Sequence, residues 1–135
     1  MTESGLPYPK AVSSWYLREQ ELAINPLKIL FVASEVEGLV KTGGLADVAK
    51  ALPQHLARQG HDVRIIMPFY KTIKRRDEAT LLASRWLPTP QDRSDISYRI
   101  HQLELDGICV YLLDCPHYFD RPQLYAENNQ AYPDN

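Results

Sequence analysis

At 135 residues the chain is long enough for one domain, and a 44% hydrophobic content suffices for a packed core. A formal net charge of -2 and an isoelectric point near 6.1 lack the basic excess of a general nucleic-acid binder. No apolar run approaches the roughly 20 residues of a membrane-spanning helix, which argues against a membrane partner.

Residues 1–26 mix Glu3, Pro7, Pro9, Glu19 and Glu21 with a short Trp15-Tyr16-Leu17 patch, and lack the apolar centre of a secretory signal. They read as a mostly irregular extension, with a helical turn or two near Ser14–Leu22, closed by the turn signal Asn25-Pro26. The run Leu27-Lys28-Ile29-Leu30-Phe31-Val32-Ala33-Ser34 predicts a strand buried on both faces. Leu45, Val48, Ala49, Leu52 and Leu56 then recur at three- and four-residue spacing, which predicts an amphipathic helix to about Arg58. Pro53 should kink or break it near Leu52, and Gly60 should stop it. Val63–Met67 predicts a second strand that Pro68 ends. Strand, helix and strand over this length make a βαβ unit with parallel strands and a right-handed crossover.

Beyond Pro68, the basic stretch Phe69–Arg76 reads as a solvated connection and Leu81–Leu87 as a short strand. Pro88–Asp92 is a loop. Ile96, Tyr98 and Ile100 alternate with polar residues toward Leu105, Asp106-Gly107 is a hairpin dipeptide, and Ile108–Leu113 returns as a buried strand. Residues 114–135 are polar, proline-broken and tyrosine-rich, with no core-facing pattern. Cys109 and Cys115 lack Cys-x-x-Cys spacing and read as free thiols, and with no targeting signal the cytoplasm is the expected location. His55, His61, His101 and His117 are scattered, none at ligand spacing to a carboxylate or cysteine, so no metal site is expected.

Between the first strand and the helix lies Lys41-Thr42-Gly43-Gly44-Leu45-Ala46-Asp47-Val48. Two adjacent glycines allow positive φ and leave no side chain to fend off a ligand. The helix that follows aims unpaired N–H groups and its positive dipole end at the loop, and Lys41 adds a mobile cation. The stretch therefore suits a phosphate, and it lies beyond the carboxyl ends of the strands, where ligands of such sheets bind. On the residues alone other readings stay open. Gly43-Gly44 also fits an ordinary strand-to-helix turn, Glu35 and Glu37 two exposed loop glutamates, and Asp47 a first-turn partner of the helix dipole.

Ser34-Glu35, the Lys41–Val48 stretch and Ala51-Leu52-Pro53 resemble the opening of bacterial glycogen synthases and plant starch synthases. A second block, in the same order as in that family, comprises Val110-Tyr111-Leu112-Leu113-Asp114-Cys115-Pro116-His117, Asp120-Arg121-Pro122, Tyr125 and Tyr132-Pro133-Asp134-Asn135. The resemblance spans residues 27–135 and leaves 1–26 outside. It implies an α/β fold, the incomplete Rossmann-like parallel-sheet N-terminal domain of a GT-B glycosyltransferase. Such enzymes transfer glucose from ADP-glucose to the non-reducing end of an α-1,4-glucan such as glycogen, with retention and without metal or other cofactor. The resemblance places Lys41, Thr42, Gly43 and Gly44 at the donor diphosphate. It makes Glu35, Asp47 and Tyr125 the expected catalytic set, Glu35 and Tyr125 near the glucose or acceptor and Asp47 as loop support or sugar-side polarity.

The family's Gly-x-Pro-Tyr segment after Asp-Arg-Pro is here Gln123-Leu124-Tyr125, one residue shorter. Family enzymes are several times longer, and their second domain supplies the nucleotide pocket and most catalytic cations. The 135 residues alone are thus expected to be inactive until that C-terminal domain completes the cleft. The alternatives are a non-catalytic module for a nucleotide sugar or glucan, and the remnant of a truncated gene.

Overall fold

The computed structural model describes residues 25–88 and 96–133; residues 1–24 of the extension read over 1–26, and most of the loop read at 88–92, lie outside them. In chain order the elements are β1 (Lys28–Val32), α1 (Gly44–Arg58), β2 (Asp62–Pro68), a 3-10 turn (Arg76–Glu78) and β3 (Thr80–Leu87). There follow β4 (Ile96–Leu105), β5 (Ile108–Asp114), α2 (Pro116–Phe119), β6 (Ala126–Glu127) and β7 (Gln130–Ala131). One five-stranded sheet runs β1-β2-β5-β4-β3, and β6 and β7 form a separate small hairpin. β1, β2 and β5 are parallel, whereas β4 and β3 add on antiparallel.

The punctuation expected of the sequence is present in the backbone. Gly60, at φ +96, ends α1, with its N–H on Ala57 O (3.0 Å) and the His61 N–H on Leu56 O (3.2 Å). This nested pair satisfies the last helical carbonyls and needs the left-handed residue that glycine supplies. Asp106 (φ 49) and Gly107 (φ 83) form the two-residue turn joining β4 to β5, both with the positive φ that matches strand twist. Asn128 and Asn129 do the same between β6 and β7.

The core centres on Ile65, Met67, Val110 and Leu112, with Ala49 of α1 and the loop residues Val36 and Leu39 packed among them. Four expectations change here, the first being the solvated connection read for Phe69–Arg76, whose Phe69, Tyr70 and Ile73 are buried in the core. α1 runs unbroken through Pro53, whose ring is fully buried, so packing offsets the missing N–H. Its buried face is Ala46, Ala49 and Pro53, while Leu45, Val48 and Leu52 point outward. β1 is an edge strand covered on one face only: Leu30 and Val32 are 55% and 75% exposed, on the same open face as Arg64 and Ile66 of β2.

Candidate functional site

Because β1, β2 and β5 are parallel, the loops that leave their carboxyl ends gather at one end of the sheet. The loop after β1 is anchored before it reaches the glycines. Val36 and Val40 exchange backbone hydrogen bonds (both 3.1 Å), the Leu39 N–H turns back to Val36 O (3.0 Å), and Gly38 sits in that turn at φ +94. Val36 and Leu39 drive into the core, and the Lys74 N–H from the loop after β2 donates to Leu39 O (2.9 Å). A loop pinned by two buried side chains holds its next residues at fixed positions.

Those next residues make a cradle. Gly43 is extended (φ -157, ψ -163) and Gly44 opens the helix, so neither uses the positive φ that the pair of glycines suggested. Their contribution is access. A Cβ on Gly44 would meet nothing within 4 Å, and one on Gly43 only Glu35 Oε1 at 4.0 Å. Among the described residues no side chain caps α1 at Gly43, so the first-turn N–H groups face the loop without a side-chain acceptor there. Lys41 is tied down where a mobile charge was expected: its Nζ lies 2.7 Å from Asp47 Oδ1 and 3.0 Å from Glu37 Oε2. These two carboxylates, Asp47 foremost, raise its pKa and keep it cationic.

Glu35 is 2% exposed, and its Oε2 accepts both the backbone N–H (2.6 Å) and the hydroxyl (2.7 Å) of Thr42. Beside it, Tyr125 OH and Ser34 Oγ share a hydrogen bond at 2.7 Å, joining the segment between α2 and β6 to the loop after β1. Tyr70, just past β2, is nearly buried, and its pKa is pushed up to about 12 by burial and by the nearby Tyr125 and Glu35. Tyr125 stands between two open cavities. One, of about 420 Å³, reaches Val40 and Thr42; the other, of about 350 Å³, is walled by Ser34, Tyr70, Tyr118 and Arg121.

The model of the starch synthase catalytic domain matches residues 28–135. The chain belongs to that family. It is 81% identical over 114 residues to glycogen synthase from Aeromonas hydrophila, a match covering 84% of this chain and 24% of that one. It is 56% identical over 118 residues to glycogen synthase from Photobacterium profundum, covering 87% and 23%. Among solved structures it superimposes with a TM-score of 0.62 and 29% identity on the catalytic domain of starch synthase IV from Arabidopsis thaliana bound to ADP and acarbose, over 78% of this chain and 22% of that one. The chain thus spans about a quarter of the length of the curated relatives it matches. Its sheet is part of the GT-B architecture expected of a family member.

Within this family segment, the residues singled out in the sequence gather at one end of the sheet. Lys41, Thr42, Gly43, Gly44 and Asp47 form the cradle and its rim, Glu35 lies beneath it, and Tyr125 stands beside Ser34 next to it. Three contributors escaped the sequence reading: Glu37 as second partner of Lys41, Ser34 as partner of Tyr125, and Tyr70. Tyr70 carried a signal, since it follows directly on the carboxyl end of a strand where sites are built. Among the described residues no helix is long and apolar enough to cross a membrane.

Proposed function

We propose that this chain supplies the donor-diphosphate cradle and one wall of the cleft of a glycogen synthase. In this reading the complete enzyme moves glucose from ADP-glucose to the non-reducing end of an α-1,4-glucan, with retention, in the cytoplasm. The observation that carries it is the uncapped start of α1 behind two unobstructed glycines, with Lys41 held cationic at its rim. As the bond from glucose to the diphosphate breaks, negative charge grows on the departing ADP. Preorganised N–H dipoles and a fixed cation stabilise that charge without having to reorganise. Lys41 would exchange its contacts with Asp47 and Glu37 for phosphate oxygens, leaving Asp47 beside the sugar. Tyr125, between the two cavities, would border the glucose or the acceptor. No cofactor enters this scheme; ADP-glucose is the donor substrate. The starch synthase IV structure, bound to ADP and acarbose, supports a site for nucleotide and glucan in this family.

The test is a chimera in which residues 28–133 replace the matching segment of the Aeromonas hydrophila enzyme. It should incorporate glucose into glycogen from ADP-glucose. Lys41→Ala should lower its turnover by roughly 10²-fold or more while leaving its urea midpoint nearly unchanged. Undiminished turnover in that variant overturns the assignment of Lys41. The 135 residues by themselves should show no transfer, and calorimetry with ADP then separates a binding module from a remnant that binds nothing.

A further inference from the structure

Two carboxylates are buried among the described residues, Glu35 and Asp114, and they are satisfied in different ways. Asp114 takes a cation, Arg99, at 2.8 Å. Glu35 has no ion-pair partner among the described residues; both donors to its Oε2 come from a single residue, Thr42. Burying a carboxylate is costly unless strong hydrogen bonds satisfy it, so this pair of short bonds fixes Thr42 firmly against the end of β1. Thr42 is the residue directly before Gly43 and the helix start.

The contact also divides the loop's donors. The Thr42 N–H points at Glu35 and is not available to a ligand, which leaves the N–H groups from Gly43 into the first turn of α1 to face one. A negative charge set this close to an anion cradle would by itself weaken anion binding. The arrangement makes sense if the carboxylate is there for geometry.

We propose that Glu35 is a positioning residue: its carboxylate holds Thr42 so that the Gly43–Leu45 backbone keeps the shape a diphosphate meets. This rests on the reading of the loop as a diphosphate cradle. It assigns Glu35 a role through the loop, not through contact with glucose.

The sign of one substitution separates the two effects. Glu35→Gln keeps the side chain's shape but removes its charge and weakens both bonds from Thr42. If Glu35 contributed only charge, ADP would bind the variant more tightly; if it holds the loop, ADP should bind at least about tenfold more weakly. Thr42→Val, which removes the hydroxyl donor alone, should weaken ADP binding several-fold, and Thr42→Ser should restore it. These affinities are read by calorimetry on the chimera with the Aeromonas hydrophila enzyme, with ADP as the probe. In parallel, the Thr42 amide proton, held 2.6 Å from a carboxylate oxygen at the donor nitrogen, should resonate far downfield in a nitrogen-15 NMR spectrum and move upfield in Glu35→Gln. Tighter ADP binding by Glu35→Gln, or a Thr42 amide resonance that does not move, overturns the proposal. If the unaltered chimera does not bind ADP, the cradle reading fails instead, and the Thr42 resonance of the 135-residue chain still decides whether Glu35 braces the loop.

Discussion

At the scale of single residues, the site combines groups whose protonation the fold has already set. Lys41 is kept charged by two carboxylates, and Tyr70 is kept neutral by burial next to Tyr125 and Glu35. The second has a consequence for stability. A tyrosine whose folded pKa lies near 12 against an ordinary value of 10.0 binds its proton more tightly in the folded chain. Its contribution is therefore intact below pH 10 and is lost as pH climbs from 10 toward 12, because only the unfolded chain deprotonates readily there. We expect on the order of 2 kcal/mol to disappear across that window. Urea midpoints at pH 9 and pH 11.5 should diverge for the natural chain and diverge less for Tyr70→Phe. Equal divergence would mean that some other group governs the alkaline limb.

At the scale of elements, the glycines divide by task. Gly43 and Gly44 keep space open, whereas Gly38 and Gly60 hold nearly the same left-handed backbone, φ +94 and +96. A Cβ on Gly60 would meet nothing within 4 Å, so Gly60→Ala should cost only the backbone term, about 1 kcal/mol. A Cβ on Gly38 would lie 3.3 Å from Leu105 Cδ1, inside the turn that anchors the cradle loop. Gly38→Ala should therefore cost more than Gly60→Ala in urea unfolding and should weaken ADP binding, which Gly60→Ala should not. The stop at Gly60 and the turn at Asp106-Gly107 were legible in the sequence because one residue type meets one backbone demand. The Glu35–Thr42 and Ser34–Tyr125 contacts were not. They join residues seven and ninety-one positions apart, and no periodicity marks such a pair. For the same reason Phe119 and Leu124, isolated in a polar stretch, gave no sign that they pack against the core.

At the scale of the whole molecule, the sequence said which surfaces are apolar but not what covers them. The spacing of Leu45, Val48 and Leu52 is that of a buried helical stripe, yet α1 lays its small residues on the sheet and turns these three outward. The same holds for Leu30 and Val32 on the open face of β1, an edge strand whose outer backbone groups have no partner strand among the described residues. Apolar area of this kind, on a chain spanning a quarter of its relatives' length, is what further polypeptide would cover. Val32→Glu tests this, because it should act oppositely in two settings. In the 135-residue chain, where Val32 is 75% exposed, the change should shift stability by no more than about 0.5 kcal/mol and reduce self-association and dye binding. In the chimera, where the remaining sequence can pack on β1, the same glutamate would be an unpaired buried charge, and it should cost more than about 3 kcal/mol and much of the folded yield. A chimera that tolerates Val32→Glu as well as the short chain does would show that this face stays open in the complete protein, and that the sheet ends at β1.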